Sequence, residues 1–564
     1  MSASESGKHG GIDEHVTAVS PSSSSSSAAG IAGVDDGIPP TEEEKRTLRR
    51  VSDVVPKSAF IVAVVELFER FAYYGANSLF QNYVSTAYGL GQPRTTATAL
   101  STLSNFFMYV TAIIGAVVAD QYLGRFRAIV LFAGIYSIGL LILWTTALPS
   151  TMEAVSANGR LAAFVVALLT IGLGTGGIKS NVAPMIGDQY AHREMVTKID
   201  AKTGQKVIVD PAVTYNRIYT IYYGCIEVGS LSGLATPFME KRYGFWAPFL
   251  LTWCVLCVAV TIFVAGRKTY VVRKPQGSVI LHAFQALGQI IRHRNLDAAK
   301  PSWRATHGLT SKPVPWNDQF VADVQQTLDA CKVFAFYPVI WVCYSQLSSN
   351  LVSQAAMMQG HGVPNDFMRS LETVSILVFL PIIDRIVMPL LRRRGIVLRP
   401  VKRIAIGFAT IGLGMAYAAI VQHLIYAAPP CFEHPLACAA AKQPDGTVLP
   451  NNVHIAIQTP LYVLFGIASI FLNTTGPEFA YTHSPPQLKS FVQSLYLLTV
   501  AIGSALALAL VPVSVDPKVL WMYVGVAIAV FVIGTVMYTT LRHLDKEEDA
   551  LYEDKVSEES QGRS

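Results

Sequence analysis

The sequence predicts an all-α membrane protein with about twelve transmembrane helices: six spans, a polar linker and six more. Three observations carry this. Of 564 residues, 51% are apolar and only 15% are charged, against roughly 25% charged in ordinary soluble proteins, and the mean hydropathy is +0.39. The apolar residues gather in segments near the ~20 residues that a helix needs to cross hydrocarbon. The basic residues lie in the loops between these segments, more heavily on alternate sides. The net charge of +6 is small for this length and falls in those loops, so nucleic-acid binding is not expected.

The predicted spans are 56–80, 97–120, 126–148, 160–186, 213–237, 246–266, 328–356, 367–391, 401–426, 454–476, 488–512 and 518–541. Residues 1–52 include a six-serine run and a charged stretch over 42–50. Nothing there can bury a core, so a disordered tail is expected. A bundle over 53–266 follows, then a linker over 267–327 and a second bundle over 328–543. Residues 544–564 read as an acidic, disordered tail. Within the linker, 277–293 mixes apolar and basic residues; it suits a helix lying flat on the inner surface or a plain solvated segment. Basic clusters follow the second, fourth, sixth, eighth and last spans, including Arg125, Arg127, Arg392, Arg393 and Arg394. Both termini are therefore expected in the cytoplasm, and the plasma membrane is the expected location.

Within the first span, Glu66, Glu69, Arg70, Tyr73 and Tyr74 share one helical face. Ionisable groups inside a membrane cost several kcal/mol unless they face partners or a polar cavity, so this face is the leading functional candidate. The fourth span contains Gly172-Leu173-Gly174-Thr175-Gly176-Gly177-Ile178-Lys179. No strand precedes these glycines and the Walker order is absent, so they mark close helix contact rather than a phosphate loop. Lys179 is then a cation inside the membrane that needs an anion. Phe334, Phe336, Tyr337, Trp341 and Tyr344 in the seventh span either line a pocket or pack.

Five of the seven cysteines lie in or beside apolar spans, where cysteine is an inert small hydrophobe. Cys254 and Cys257 form a CxxC inside one span and read as packing, not zinc ligands. Cys431 and Cys438 sit in a polar loop placed outside, where a disulfide is expected. No nucleophile–base set, nucleotide motif or metal cluster is present in the sequence, so an enzyme is not expected, nor a cofactor.

The stretch from Glu66 to Tyr74 matches ExxERFxYY. On it the chain resembles the proton-coupled oligopeptide transporters of the major facilitator superfamily. The resemblance extends through GxGGIK at Lys179, the loop motif Gly115 to Asp120 with Leu123-Gly124-Arg125, Pro381-Ile382-Ile383-Asp384, Gly476-Pro477-Glu478-Phe479, and Ser484 to Ser490. It covers nearly the whole membrane region with its motifs in order. It implies the two-bundle major facilitator fold, protons and small peptides as ligands, and the bilayer as environment; it leaves the oligomeric state open. Glu66, Glu69 and Arg70 would couple protons. Arg70, Tyr73, Tyr74, Lys179, Glu227 and Glu478 would bind substrate, with Glu478 facing Lys179 or the substrate amine; an acid at a helix break after Pro477 is the alternative. Asp120, Gly124, Arg125 and Asp384 would be structural or gating.

Three departures bear on specificity. Glu227 stands where the family pattern INxGSL has Asn, Ser345 precedes Gln346 where an acid is common, and Asn77 replaces a base found in many members. Four candidate acids (Glu66, Glu69, Glu227 and Glu478) face two bases, Arg70 and Lys179, so at least one acid is expected to carry a proton at some stage. The sequence alone does not choose among the four. Symport of nitrate or another small metabolite is the alternative, as is a nutrient sensor of the same fold that does not transport; four acids argue against nitrate.

Overall fold

The computed structural model describes residues 39–190, 194–199, 204–273, 275, 277, 279–307, 314–396, 398–443 and 448–561, without side chains at 46, 486 and 546–561. The expected tail falls outside these residues over 1–38, as does part of the basic loop after the fourth span.

Residues 39–51, 194–199 and 204–210 form a small unit of their own. The helix Glu42–Thr47 carries a capping box between Thr41 and Glu44, which satisfies otherwise orphaned N–H groups. Strand Arg50–Val51 runs parallel to Lys206–Val209, which pairs antiparallel with Val196–Ile199. Val207, Ile208 and Val209 are buried, and Lys206 reaches Glu44 at 2.5 Å. This corrects the expected disordered tail over 39–51. The β-branched run from Val207 to Val209 favours a strand, and its pairing partners lie far apart in sequence.

Residues 52–190 and 211–561 form the helical body. Among the described residues, nine helices are long and apolar enough to span a membrane, and ten if the bent pair Asp318–Phe336 and Pro338–Ala356 is one span. The other two predicted spans are also helical, as Lys57–Asn77 and as Pro211–Ser230 followed by Ser232–Tyr243. The first carries Lys57, Glu66, Glu69 and Arg70 and the other breaks at Leu231, so the twelve-span expectation rests on counting them. The seventh span starts earlier than expected: Asn317 caps the helix Asp318–Ala330 through a 2.9 Å bond from the Phe320 N–H. Pro338 marks the 46° bend.

The body has two separate large apolar cores. One joins residues of the first half, among them Ala72, Tyr136, Phe164 and Phe249. The other joins residues of the second half, among them Tyr337, Phe408, Phe465 and Tyr523. The glycines of the fourth span are sites of backbone contact, as expected. A Cβ at Gly177 would lie 2.2 Å from the Phe132 ring, and one at Gly174 would lie 2.5 Å from Tyr136. Any larger residue would force the helices Arg125–Thr146 and Ala157–Asp188 apart.

The linker helix Val279–His293 does not offer its apolar face to a membrane. Ala283 packs with Val324, Leu488 and Phe491, while Ala286 and Ile290 pack with Ala299 and Val321. The flat-lying and solvated readings both give way to a helix docked on protein, because Asp318–Ala330 supplies a matching apolar stripe. The last helix, Val519–Gln561, continues through the tail expected to be disordered. Cys431 and Cys438 form the expected disulfide, with Cα atoms 5.4 Å apart.

Candidate functional site

The helix Lys57–Asn77 buries Glu66, Glu69 and Arg70 almost completely, at 1%, 3% and 2% exposure. Arg70 lies 3.2 Å from Glu66 Oε1 and 2.5 Å from Glu69 Oε2. Two further donors come from neighbouring helices. Thr175 Oγ1 donates to Glu69 Oε1 at 2.9 Å, and the Tyr222 hydroxyl donates to Glu66 Oε1 at 3.3 Å. Glu66 Oε2 has no hydrogen-bond partner among the described residues. A gap of about 20 Å³ lies beside both carboxylates, lined otherwise by apolar residues such as Val62, Ile178 and Leu256; it has room for one water. Removing either partner from such an ion pair would strand a buried charge, so the three residues act as a unit.

Tyr73 lies on the same face. Its hydroxyl accepts from Asn77 Nδ2 at 2.8 Å and reaches Asn105 at 3.4 Å. Asn77 thus serves the phenol where a base was the family expectation. Tyr74 packs edge-on to Tyr73 and lies within electrostatic range of both Arg70 and Glu227.

Lys179 is half-buried, and its partner is a phenol rather than a carboxylate. Its Nζ donates to the Tyr109 hydroxyl at 2.9 Å and sits 4.2 Å from the Tyr109 ring centroid. This corrects the expectation of a direct anionic partner: a cation over an electron-rich ring is partly compensated without one. Glu478 is not brought to Lys179. It is exposed and lines a cavity with Arg392, Arg399 and Arg403, because that stripe of the helix Thr459–His483 faces the neighbouring basic loop.

Glu227 is half-buried on the helix Pro211–Ser230. It lies within electrostatic range of Glu372, which is itself in range of Arg369. Both belong to the second half, and sequence reading missed both. The signal was present: an acid and a base three residues apart inside a predicted span meet the same criterion that singled out Glu66. Tyr109, Thr175 and Tyr222 were also missed, since a lone hydroxyl in a span carries no pattern.

The loop motif is joined by an acid from the end of the helix Ala157–Asp188. Arg125 lies 4.0 Å from Asp120, but its close partner is Asp188, which also pairs with Arg273 at 3.1 Å. Gly124 has φ +74°, which favours glycine. Asp384 is exposed in a π-helical turn, Ile383–Val387, and forms no ion pair among the described residues. The aromatic residues of the seventh span act mainly in packing: the Tyr337 hydroxyl donates to Leu472 O at 2.9 Å, and Trp341 Nε1 donates to Thr499 at 3.0 Å.

The two halves meet through polar groups concentrated at one end of the body. Asn82 and Asn365 exchange bonds of 2.8 and 2.9 Å, and Gln81 donates to Ser353 at 2.9 Å. Asn82 also contacts Asp366. Thr98 donates to Asn350 at 3.2 Å and Asn105 to Ser348 at 3.3 Å, while Arg94 pairs with Asp516 at 3.2 Å. These amide and hydroxyl bonds join the two halves at that end and can exchange partners at low cost.

Comparisons with known proteins bear on the family and the fold. A family model described as the POT family matches residues 126–524. The chain is 42% identical to the peptide transporter PTR_A of Candidozyma auris over 537 residues, covering 94% of this chain and 89% of that protein. It is 38% identical to the peptide transporter PTR2 of Saccharomyces cerevisiae, covering 91% and 83%. Among solved structures, the POT family transporter PepTSo superposes with a TM-score of 0.68 at 20% identity, over 87% of this chain and 99% of that one. That likeness concerns the fold.

Proposed function

Because the chain belongs to the POT family, we propose that it carries small peptides across a membrane, driven by protons. The observation that carries this reading is the buried Glu66–Glu69–Arg70 network in a chain whose relatives, matched over most of their length, are named peptide transporters. A permanent ion triad is poor value for stability alone, whereas a triad that changes its proton count can drive a conformational change.

Glu66 is the proton carrier in this reading. Its Oε2 has no competing donor among the described residues, and the gap beside it has room for one water. Glu69 is the tighter partner of Arg70 and is also held by Thr175. Protonation of Glu66 leaves Arg70 with one carboxylate and loosens the helix Lys57–Asn77 against Tyr222. The substrate carboxylate goes to Lys179, the more accessible cation, with Tyr109 beside it. The substrate ammonium goes to Glu227, with Glu372 in the opposite half as a second acid. Tyr73 and Tyr74 supply an amphipathic wall.

The two cores correspond to two bundles that rock about this site. The end closed by Asn82 and Asn365 is taken as external, since the basic loops lie at the other end. Both termini are then cytoplasmic, and the disulfide faces the oxidising side of the plasma membrane.

The test is uptake of a labelled dipeptide in cells lacking their own peptide carrier. Saturable uptake that rises as the outside is acidified and collapses with a protonophore is expected. Surface-localised protein without uptake would overturn the reading. Glu227→Asn restores the family pattern and is expected to widen the range of accepted peptides, read by competition against the labelled one. An unchanged competition profile would remove Glu227 from the site.

A further inference from the structure

Ser52 directly follows the strand Arg50–Val51 and stands shortly before the helix Lys57–Asn77 that carries the coupling triad. Arg49-Arg50-Val51-Ser52 is the only Arg-Arg-x-Ser sequence in the chain. Both arginine side chains are exposed, and Ser52 is half-buried. Arg50 pairs with Asp210 at 3.1 Å, but its side chain remains 47% exposed, and a surface ion pair of this kind is worth at most about 1 kcal/mol. The strand is two residues long and lies at an edge of its sheet, so this segment can open locally at low cost.

The surroundings of the Ser52 hydroxyl come from the helix Pro211–Ser230. The Asp53 N–H donates to Thr214 Oγ1 at 2.9 Å and fixes the backbone beside that helix. Arg217 follows Thr214 by three residues and so lies on the same face; it donates to Ser52 Oγ at 3.0 Å. Arg217 is exposed and forms no ion pair among the described residues. The adjacent carboxylate, Asp53, accepts instead from the Tyr190 hydroxyl at 3.2 Å. A guanidinium without an anion thus stands against a serine hydroxyl, placed to receive the oxygens of a phosphate carried on it.

We propose that Ser52 is a phosphorylation site for a protein kinase that selects arginine two and three residues before its acceptor, and that Arg217 binds the phosphate. Exposed guanidinium groups at those two positions suit carboxylates in the kinase's substrate groove. In the transfer, Ser52 Oγ forms a bond to the γ-phosphorus of ATP, the bond to the ADP oxygen breaks, and the hydroxyl proton goes to the kinase's catalytic carboxylate. The product carries a charge of about −1.5 to −2 and turns the bond to Arg217 into an ion pair. The same helix, Pro211–Ser230, carries Tyr222, the partner of Glu66. Resting on the proton-coupled reading above, the new link opposes the loosening of the helix Lys57–Asn77 from Tyr222 and acts as a brake on transport.

The experiment incubates the purified full-length chain with ATP and the catalytic subunit of cyclic-AMP-dependent protein kinase, and maps phosphopeptides by mass spectrometry. Phosphate is expected on Ser52, and Arg49→Gln is expected to slow its incorporation about tenfold, the worth of one charge-assisted bond. Release by a broad-specificity phosphatase reads the other half of the site: Arg217→Gln is expected to speed loss of phosphate from Ser52 by about tenfold. No phosphate on Ser52, or an Arg49→Gln chain modified as fast as wild type, would overturn the site. Equal release from wild type and Arg217→Gln would remove Arg217 from it. None of these readouts needs transport. Chain phosphorylated before reconstitution into vesicles is then expected to take up dipeptide several-fold more slowly than untreated chain, with Ser52→Ala unaffected by the kinase. Equal rates in treated and untreated wild type would overturn the brake. Absence of uptake from both would overturn the transport reading and the brake with it, while phosphorylation of Ser52 stands.

Discussion

Glu66→Gln is expected to abolish proton-driven accumulation of peptide while leaving exchange of labelled for unlabelled peptide across the membrane intact. A difference of two pH units drives about a hundredfold accumulation per coupled proton, equivalent to ~2.7 kcal/mol. Loss of coupling removes that factor and brings the accumulation ratio to unity. Glutamine keeps the size of the side chain and an oxygen to accept from Tyr222, which lies 3.3 Å from Glu66 Oε1, so the site stays packed but cannot take up a proton. Glu69→Gln is expected to lose coupling too, with a larger cost in stability. Glu69 makes the shorter contact with Arg70 and accepts from Thr175, and neutralising it leaves the buried guanidinium with Glu66 alone. Breaking a buried pair typically costs ~3–5 kcal/mol, less where an amide still accepts a hydrogen bond. The measurement pairs uptake under a pH gradient with counterflow at equal pH in vesicles. Loss of both by Glu66→Gln in well-folded protein would mean that Glu66 is not specifically a coupling group.

Lys179→Ala is expected to weaken uptake and exchange together, because this change acts on substrate binding. A charge-assisted hydrogen bond to a carboxylate contributes roughly 1.5–3 kcal/mol, so apparent affinity should fall by about 10- to 100-fold. Tyr109 separates two explanations. Its hydroxyl accepts from Lys179 Nζ at 2.9 Å. If the phenol merely parks the lysine, Tyr109→Phe should weaken uptake modestly and Lys179→Arg should retain part of it. Normal saturable uptake by Lys179→Ala would take Lys179 out of the site.

The pairing of local motif and distant partner sets how much of this site was legible. Glu66, Glu69 and Arg70 lie within one turn of a helix, and the helical period fixes their proximity before any tertiary contact forms. The partner of Lys179 is 70 residues away, on the helix Arg94–Val118. The sequence supplied the demand for a partner but not its identity, and the phenol that meets it leaves no charge signature. Arg125 illustrates the same limit: Asp120 is near in sequence, yet Asp188 is the closer partner because the helix Ala157–Asp188 ends beside it. Glu372 and Arg369 were visible as a charged pair in a predicted span and were overlooked beside the stronger motifs.

Long apolar stretches and alternating basic loops determined by themselves that this is a helical membrane protein, and the ExxERFxYY and GxGGIK motifs carried the resemblance to its family. Burying apolar length in hydrocarbon leaves the backbone few alternatives to helices. The disulfide between Cys431 and Cys438 was equally legible, because a short polar loop holds both residues within reach. Tertiary structure alone decided that residues 50–51 form a strand with 206–209, and that the linker helix docks on Val321 and Val324. It also decided that Glu478 lies among arginines, and that Asn82 meets Asn365 across the two halves. In each of these cases the choice depends on which of several compatible surfaces the packing of separate helices brings into contact. Periodicity says which face of a helix is apolar or charged, but not which distant residue will stand opposite it.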